Sequence, residues 1–289
     1  APTGYRVFPE YNLKKQVSIM KALFSLGFPV PEVLFYEGNS SIIGYEFYIM
    51  NYIKGEAPSD NPPYHLDPEG MMGRADSEKR RNVWIDWLFH LSNLHNLNLK
   101  DISLDDFCEE DINGNPVISD IEYYKNFLDW GMDGEPNNLC DDVIKWLKKN
   151  IPSDSNPNKL CWGDSRLGNV LYKDYKATAL LDWEMSSIGD PISDLAWGFA
   201  VDDASSLGLG IKKLEGSLDS NEAIDIWEKN TNLSSKNYKF YRIFSLLKFT
   251  IIMIRVAKKL MINNIIELEK DFYKNNYISN FLEKEFKQI

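Results

Sequence analysis

The feature that most narrows the fold is a lone strand-rich stretch near the middle of a chain whose flanks have helical period. Lys159–Trp162, Val170–Tyr172 and Ala177–Leu181 read as strands, and Lys173-Asp174-Tyr175-Lys176 can turn the last two into a hairpin. Upstream, Ser77–Leu97 places Val83, Trp84, Trp87, Leu88, Leu91 and Leu94 at helical spacing. Further helices are expected at 120–130, 139–149, 191–201, 220–230, 237–262 and 270–286. Any fold must therefore seat one small β element inside a helical body.

The first residues are organised differently. A helix over Asn12–Leu26 would bury Leu13, Val17, Met20, Leu23 and Phe24, with Gly27 ending it. Val33–Tyr36 and Tyr45–Ile53 read as strands separated by Glu37-Gly38-Asn39-Ser40, a turn signal. Residues 55–75 hold four prolines and several glycines and read as an irregular connection. This order predicts an α+β chain of two lobes, 1–54 with a helix and strands, and 55–289 mainly helical. At 289 residues and 44% hydrophobic, the chain is long enough for two lobes sharing a cleft.

Charge and cysteine usage exclude some classes. A net charge of −11 argues against non-specific nucleic-acid binding, which needs a basic surface to release counterions. The apolar run at Leu246–Met261 is broken by Lys248, Arg255, Lys258 and Lys259, so no membrane span is expected. Cys108, Cys140 and Cys161 lack metal-ligand spacing and read as reduced thiols of a cytoplasmic protein. His95 follows Leu91 and Leu94 on one helical face and reads as a structural histidine.

The chemistry gathers at the hairpin. The chain reads Cys161-Trp162-Gly163-Asp164-Ser165-Arg166-Leu167-Gly168-Asn169-Val170, then Leu181-Asp182-Trp183-Glu184 after the hairpin. A carboxylate at 164 can take the proton of an attacking hydroxyl. An amide five residues on, after the chain has turned, can offer its oxygen to a cation, and Asp182 supplies a hard anionic oxygen for the same cation. Mg²⁺ keeps several waters, so one carboxylate, one amide and nucleotide phosphates suffice, and phosphoryl transfer needs little more than positioning and charge neutralisation. Each residue alone would be an ordinary turn residue. Their conjunction between apolar strands is what points to phosphoryl transfer.

These segments resemble the aminoglycoside-phosphotransferase-like family of small-molecule kinases, whose motif is H-G-D-x-x-x-x-N, a hairpin, then D-W-E. Within it the chain is most similar to the group related to the kinase-like domains fused to some acyl-CoA dehydrogenases, through Leu181–Glu184, Gly189-Asp190-Pro191 and Asp194-Leu195-Ala196-Trp197. The resemblance implies a protein-kinase-like two-lobe fold, ATP or GTP as co-substrate, Mg²⁺, and a small hydroxylated acceptor. It implies Asp164 as catalytic base and Asn169 and Asp182 as metal ligands. Met50, Asn51, Tyr52 and Ile53 would form the nucleotide hinge, with main-chain groups of Asn51 and Ile53 on the adenine edge. Asp194 would brace the catalytic loop, and Asp190 would do the same or charge a helix start. Glu184 is either an outer contact of the metal or a helix-start residue, and Arg166 meets either a phosphate or an acidic neighbour.

The pattern departs in three places. Trp162 stands where the motif has His, and Gln16 where the family has a helix Glu that pairs with a lysine. A glycine-containing hairpin and a cationic strand are expected ahead of Ala1, in a segment of tens of residues. Two other readings compete, a kinase-like binding module without turnover and a metal-dependent phosphohydrolase using Asp164, Asp182, Glu184 and Asp190. The acceptor stays open among a hydroxyacyl thioester, an amino alcohol, a sugar and an aminoglycoside. Oligomeric state is not legible.

Overall fold

The computed structural model describes residues 5–102, 106, 115–263, 269 and 271–289. Helix α1 (Leu13–Ser25) begins where Asn12 accepts the Lys15 N–H at 2.9 Å and ends at Gly27, whose φ of +81° suits glycine. It buries Gln16, Val17, Ile19, Met20 and Leu23 against a two-stranded sheet of β1 (Val33–Glu37) and β2 (Phe47–Met50). Phe24, expected inside, is 44% exposed, and Ile19 takes its place. Periodicity locates an apolar stripe but not its centre. The second strand is shorter than expected, because Asn51 already leaves the sheet for the connection.

The rest of the chain is mainly helical. Short α2 (Met71–Arg74) leads to α3 (Ser77–Asn96), capped by Asp76 on the Lys79 N–H. Helix α4 (Pro116–Met132) starts four residues before the expected point, since Asn115 caps it and Pro116 suits a first helical position. Then come α5 (Asn138–Lys149), α6 (Ile192–Ala204), α7 (Ser220–Thr231), α8 (Tyr238–Ile262) and α9 (Tyr277–Phe286). Of the expected helix at 270–286, residue 270 lies outside the described set. Residues 271–276 are turns ending in the Asn276–Ser279 capping box that starts α9. Helix α6 is buried on almost every side, with α8 packed along it. It forms the axis of the lobe.

Four strands sit in this helical body as two separate antiparallel pairs. Strands β4 (Val170–Lys173) and β5 (Lys176–Leu180) make the hairpin, with Asp174 and Tyr175 at positive φ, the pattern of a type I′ turn. Strand β3 (Lys159–Cys161) pairs with β6 (Ser187–Gly189), which local sequence does not reveal. That pairing brings the start of the 161–169 loop and the end of the acidic turn side by side. Cys140 and Cys161 are buried free thiols, and Cys108 lies outside the described residues. Among the described residues no helix is long and apolar enough to cross a membrane.

Candidate active site

The loop from Cys161 to Asn169 is held by α6. Asp194 accepts the Trp162 N–H on Oδ2 at 2.6 Å and the Gly163 N–H on Oδ1 at 2.8 Å. Its own carbonyl accepts the Ser165 hydroxyl at 2.6 Å. One turn along, Trp197 donates its indole N–H to Asp164 Oδ1 at 2.7 Å. Residues three apart share a helix face, so Asp194 holds the loop backbone while Trp197 holds its carboxylate. Gly198 lets α6 come this close, since a Cβ there would lie 2.7 Å from the Trp87 ring. Gly163 turns the loop at φ +85°, where a Cβ would fall 2.0 Å from the Met185 carbonyl oxygen.

A buried chain stands behind Asp194. The His95 ring Nε2 lies 3.1 Å from Asp194 Oδ2, and Nδ1 accepts the Trp227 indole N–H at 2.9 Å. Nδ1 is thus an acceptor and Nε2 carries the proton toward the carboxylate. His95 is fully buried and structural. From α3, Trp87 donates to the Ser165 carbonyl at 2.9 Å. Trp130 and Trp146 lie elsewhere, Trp130 on Arg255 and Trp146 on Phe240.

The acidic turn is fixed to the same loop. The Leu181 N–H donates to the Asn169 carbonyl at 2.8 Å, extending the hairpin register by one rung. Asn169 and Asp182 therefore sit beside each other at one end of the hairpin. Trp162 donates its indole N–H to the Leu181 carbonyl at 2.8 Å and stacks on Trp183 at 5.4 Å between centroids. The aromatic that replaces the motif's histidine thus holds the residue before Asp182. Asp182 has a φ of 60°, in the left-handed region that aspartate enters more readily than most residues with a side chain.

Three donors converge on Asp164. Besides Trp197, the Asn169 amide Nδ2 donates to Oδ2 at 2.7 Å, and Arg166 Nε lies 3.1 Å from both oxygens. Arg166 is also ion-paired with Asp60 from the 55–75 connection. Asn169 Nδ2 reaches the Asp164 carbonyl as well, at 2.9 Å, which commits its donors and leaves its oxygen for a cation. Desolvation by the surrounding chain and then the Asp164 charge push Asp182 up, while Arg166 pulls it down, although the residue keeps an exposed surface. Burial first, then Asp182 and Asp164, push Glu184 up to about 7. Neither Asp182 nor Glu184 has an ion-pair partner among the described residues, so each suits a nearby cation. No three acidic, histidine or cysteine side chains among the described residues close around one point. A metal here would rest on Asp182 and Asn169 and complete its shell with phosphate and water oxygens.

The remaining expected residues fall as follows. Asp190 Oδ1 accepts the Ile192 N–H at 3.3 Å and the Asn156 amide at 2.8 Å, a helix-start position away from Asp164. At the end of β2, the Asn51 N–H is taken by the Glu32 carbonyl at 2.9 Å. Asn51 can therefore offer a ligand only its carbonyl. Tyr52 is 89% exposed and Ile53 is half-buried. Trp197 and Trp87 were missed as partners of the loop. The first could have been found from its spacing to Asp194, the second only from tertiary contacts.

The comparisons with known proteins agree on a class. A family model described as the phosphotransferase enzyme family matches residues 6–212. The chain belongs to that family. Human acyl-CoA dehydrogenase family member 11 is 30% identical over 203 residues, 68% of this chain and 24% of that protein. The chicken protein of the same name is 27% identical over 281 residues, 91% of this chain and 33% of its own. The chain spans about a quarter to a third of the length of these curated relatives. A crystal structure from Ralstonia eutropha, assigned to the aminoglycoside phosphotransferases, superposes with a TM-score of 0.71 at 20% identity, covering 95% of this chain and 83% of its own. Choline kinase LicA of Streptococcus pneumoniae gives 0.59 at 15%, covering 96% and 82%. The fold is the kinase-like one, α+β with a helical C-lobe, as the resemblance implied.

Proposed function

We propose that the chain is a small-molecule kinase, moving the γ-phosphoryl of ATP or GTP to a metabolite hydroxyl. Asp164 is the base that orients the hydroxyl and takes its proton. Asn169 Oδ1 and Asp182 would hold Mg²⁺, which neutralises phosphate charge when bound. The lobes divide at 54/55, and the nucleotide edge lies along Met50–Ile53, through the Asn51 carbonyl and Ile53 main chain, with Tyr52 outside. Asp194 positions the loop, and Asp190 supports the start of α6. Glu184, on the acidic turn, is an outer contact of the cation.

The observation that supports this reading is the Leu181–Asn169 backbone bond, which sets Asp182 at one end of the hairpin beside Asn169, in whose loop lies the carboxylate that α6 holds. The arrangement also implies an order of events. A carboxylate offers about four lone-pair sites; Trp197 and Asn169 each take one, and the single Nε–H of Arg166 is shared between the two oxygens. Arg166 makes the longest of these contacts, so it is the donor that leaves when a hydroxyl enters, and its guanidinium then faces the transferring phosphoryl. The same contacts favour a second reading, a binding module in which Arg166 never leaves.

A screen of the natural full-length protein separates the two. Hydroxyacyl thioesters, amino alcohols, sugars and aminoglycosides would be offered with Mg²⁺ and ATP or GTP, reading nucleotide consumption and phosphorylated product by mass. One acceptor class should give stoichiometric phosphoester. Mg²⁺-nucleotide binding without product from any class would establish the binding module instead.

A further inference from the structure

Lys248 lies on α8, one turn beyond Phe244, half-buried where α4, α6 and α8 meet. Its ammonium stands over three rings, 5.2 Å from the centroids of Tyr124 and Trp197 and 5.7 Å from that of Phe244. Other sheltered cations of this molecule have their N–H groups taken up: Arg166 by Asp164 and Asp60, Lys213 by Asp202 and Asp203, Arg242 by Asp203 and Glu285, and Arg255, also stacked on rings, by the Arg6 carbonyl. Lys248 has none among the described residues, and none of its three N–H donors makes a hydrogen bond there. The Tyr124 hydroxyl, on one of these rings, likewise makes no hydrogen bond among the described residues.

The position is next to the chemistry. Trp197, the ring beneath the ammonium, is the residue whose indole N–H holds Asp164 Oδ1. The cation is one side chain away from the proposed base. Aromatic rings attract an ammonium by their faces but take up none of its N–H donors, and partial burial weakens the water that would otherwise do so. In a chain of net charge −11, an unpaired lysine at this point stands against the general field. An anionic oxygen group would satisfy its donors and complement its charge.

We propose that Lys248, with the Tyr124 hydroxyl, seats an anionic group of the acceptor, so that the phosphorylated hydroxyl belongs to a carboxylate- or phosphate-bearing molecule and not to a cationic one. The proposal rests on the kinase reading for its placement beside Asp164, but the anion seat itself can be measured without turnover.

The test uses the natural full-length protein, Lys248→Met and Lys248→Arg. The probes are short hydroxycarboxylates, their neutral amides, glycerol phosphate and choline. Equilibrium binding is measured by calorimetry, and nucleotide consumption and Mg²⁺-nucleotide affinity are read in parallel. Wild type should bind an anionic probe at least about tenfold more tightly than its neutral or cationic counterpart. Lys248→Met should collapse that ratio toward one, Lys248→Arg should keep most of it, and Mg²⁺-nucleotide affinity should not move. Preference for carboxylate over phosphate, or the reverse, identifies which anion is carried. Equal binding of anionic and neutral probes by wild type, equal losses for both in Lys248→Met, or a weakened nucleotide would overturn the proposal. Lysine-dependent anion binding without nucleotide consumption would keep the seat and sink the kinase reading. Consumption indifferent to residue 248 would do the opposite.

Discussion

The 161–169 loop and the first two strands are built to opposite standards. Around the loop, Trp87, Trp197 and Asp194 spend buried polar groups on loop atoms, Trp162 within it holds the Leu181 carbonyl, and all four are at most 3% exposed. The β1–β2 sheet instead leaves Leu34, Phe35 and Ile49 about half exposed, and its ends are held mainly by backbone bonds. The difference teaches where geometry is over-determined. The proposed chemistry would need the oxygens of Asp164, Asn169 and Asp182 closely fixed, whereas the proposed nucleotide edge would depend on main-chain atoms that any residue supplies.

Substitutions can break this contrast. Asp194→Ala strips the acceptor from two buried N–H groups and from His95 at once, and should cost about 3–5 kcal/mol in chemical denaturation. A loss under 1 kcal/mol would mean that the loop holds itself. Trp162→Phe keeps the stack on Trp183 but orphans the Leu181 carbonyl. It should cost about 1–2 kcal/mol and weaken Mg²⁺-dependent nucleotide binding more than metal-free binding. Equal weakening of both would separate Trp162 from Asp182.

Glu184 sharpens the comparison through pH. Its ordinary value is 4.5 and the folded site raises it to about 7, so the folded chain holds a proton the unfolded chain has lost. Stability from this group is complete below about pH 4.5 and falls as pH rises toward 7. Partial contact with solvent screens the effect to about 1 kcal/mol. Glu184→Gln should flatten the denaturation midpoint across that window; an unchanged slope would place the pH dependence elsewhere. The smallest effect belongs to the sheet, where Leu34→Thr should shift stability by less than about 0.5 kcal/mol. A larger loss would show that the exposed face is held by something more than its two strands.

Much of this site was legible because its parts are local. The D-x-x-x-x-N spacing, the four-residue turn at 173–176 and the helix caps each depend on residues a few positions apart. The β3–β6 pair was not legible, since Ser187–Gly189 has no strand pattern of its own and pairs only because Lys159–Cys161 lies beside it. Nor was the anchoring of Asp164 by Trp197, or the cradle around Lys248. Those depend on how α4, α6 and α8 cross, and helical period sets a face but not the register between helices. Asn51 shows the converse, a residue expected at the hinge whose N–H the structure gives to the Glu32 carbonyl.

The central claim is that a base and two metal-binding oxygens do separate work at one point. Mg²⁺-dependent ATP binding and acceptor-dependent turnover, measured side by side in Asp164→Asn and Asp182→Asn, test it directly. Asp164→Asn should bind the Mg²⁺-nucleotide within about twofold of wild type while turnover falls about a thousandfold. Asp182→Asn should lose most of the Mg²⁺ dependence of binding. If both variants bind and turn over like wild type, or if both lose binding alike, the division of roles described here is wrong.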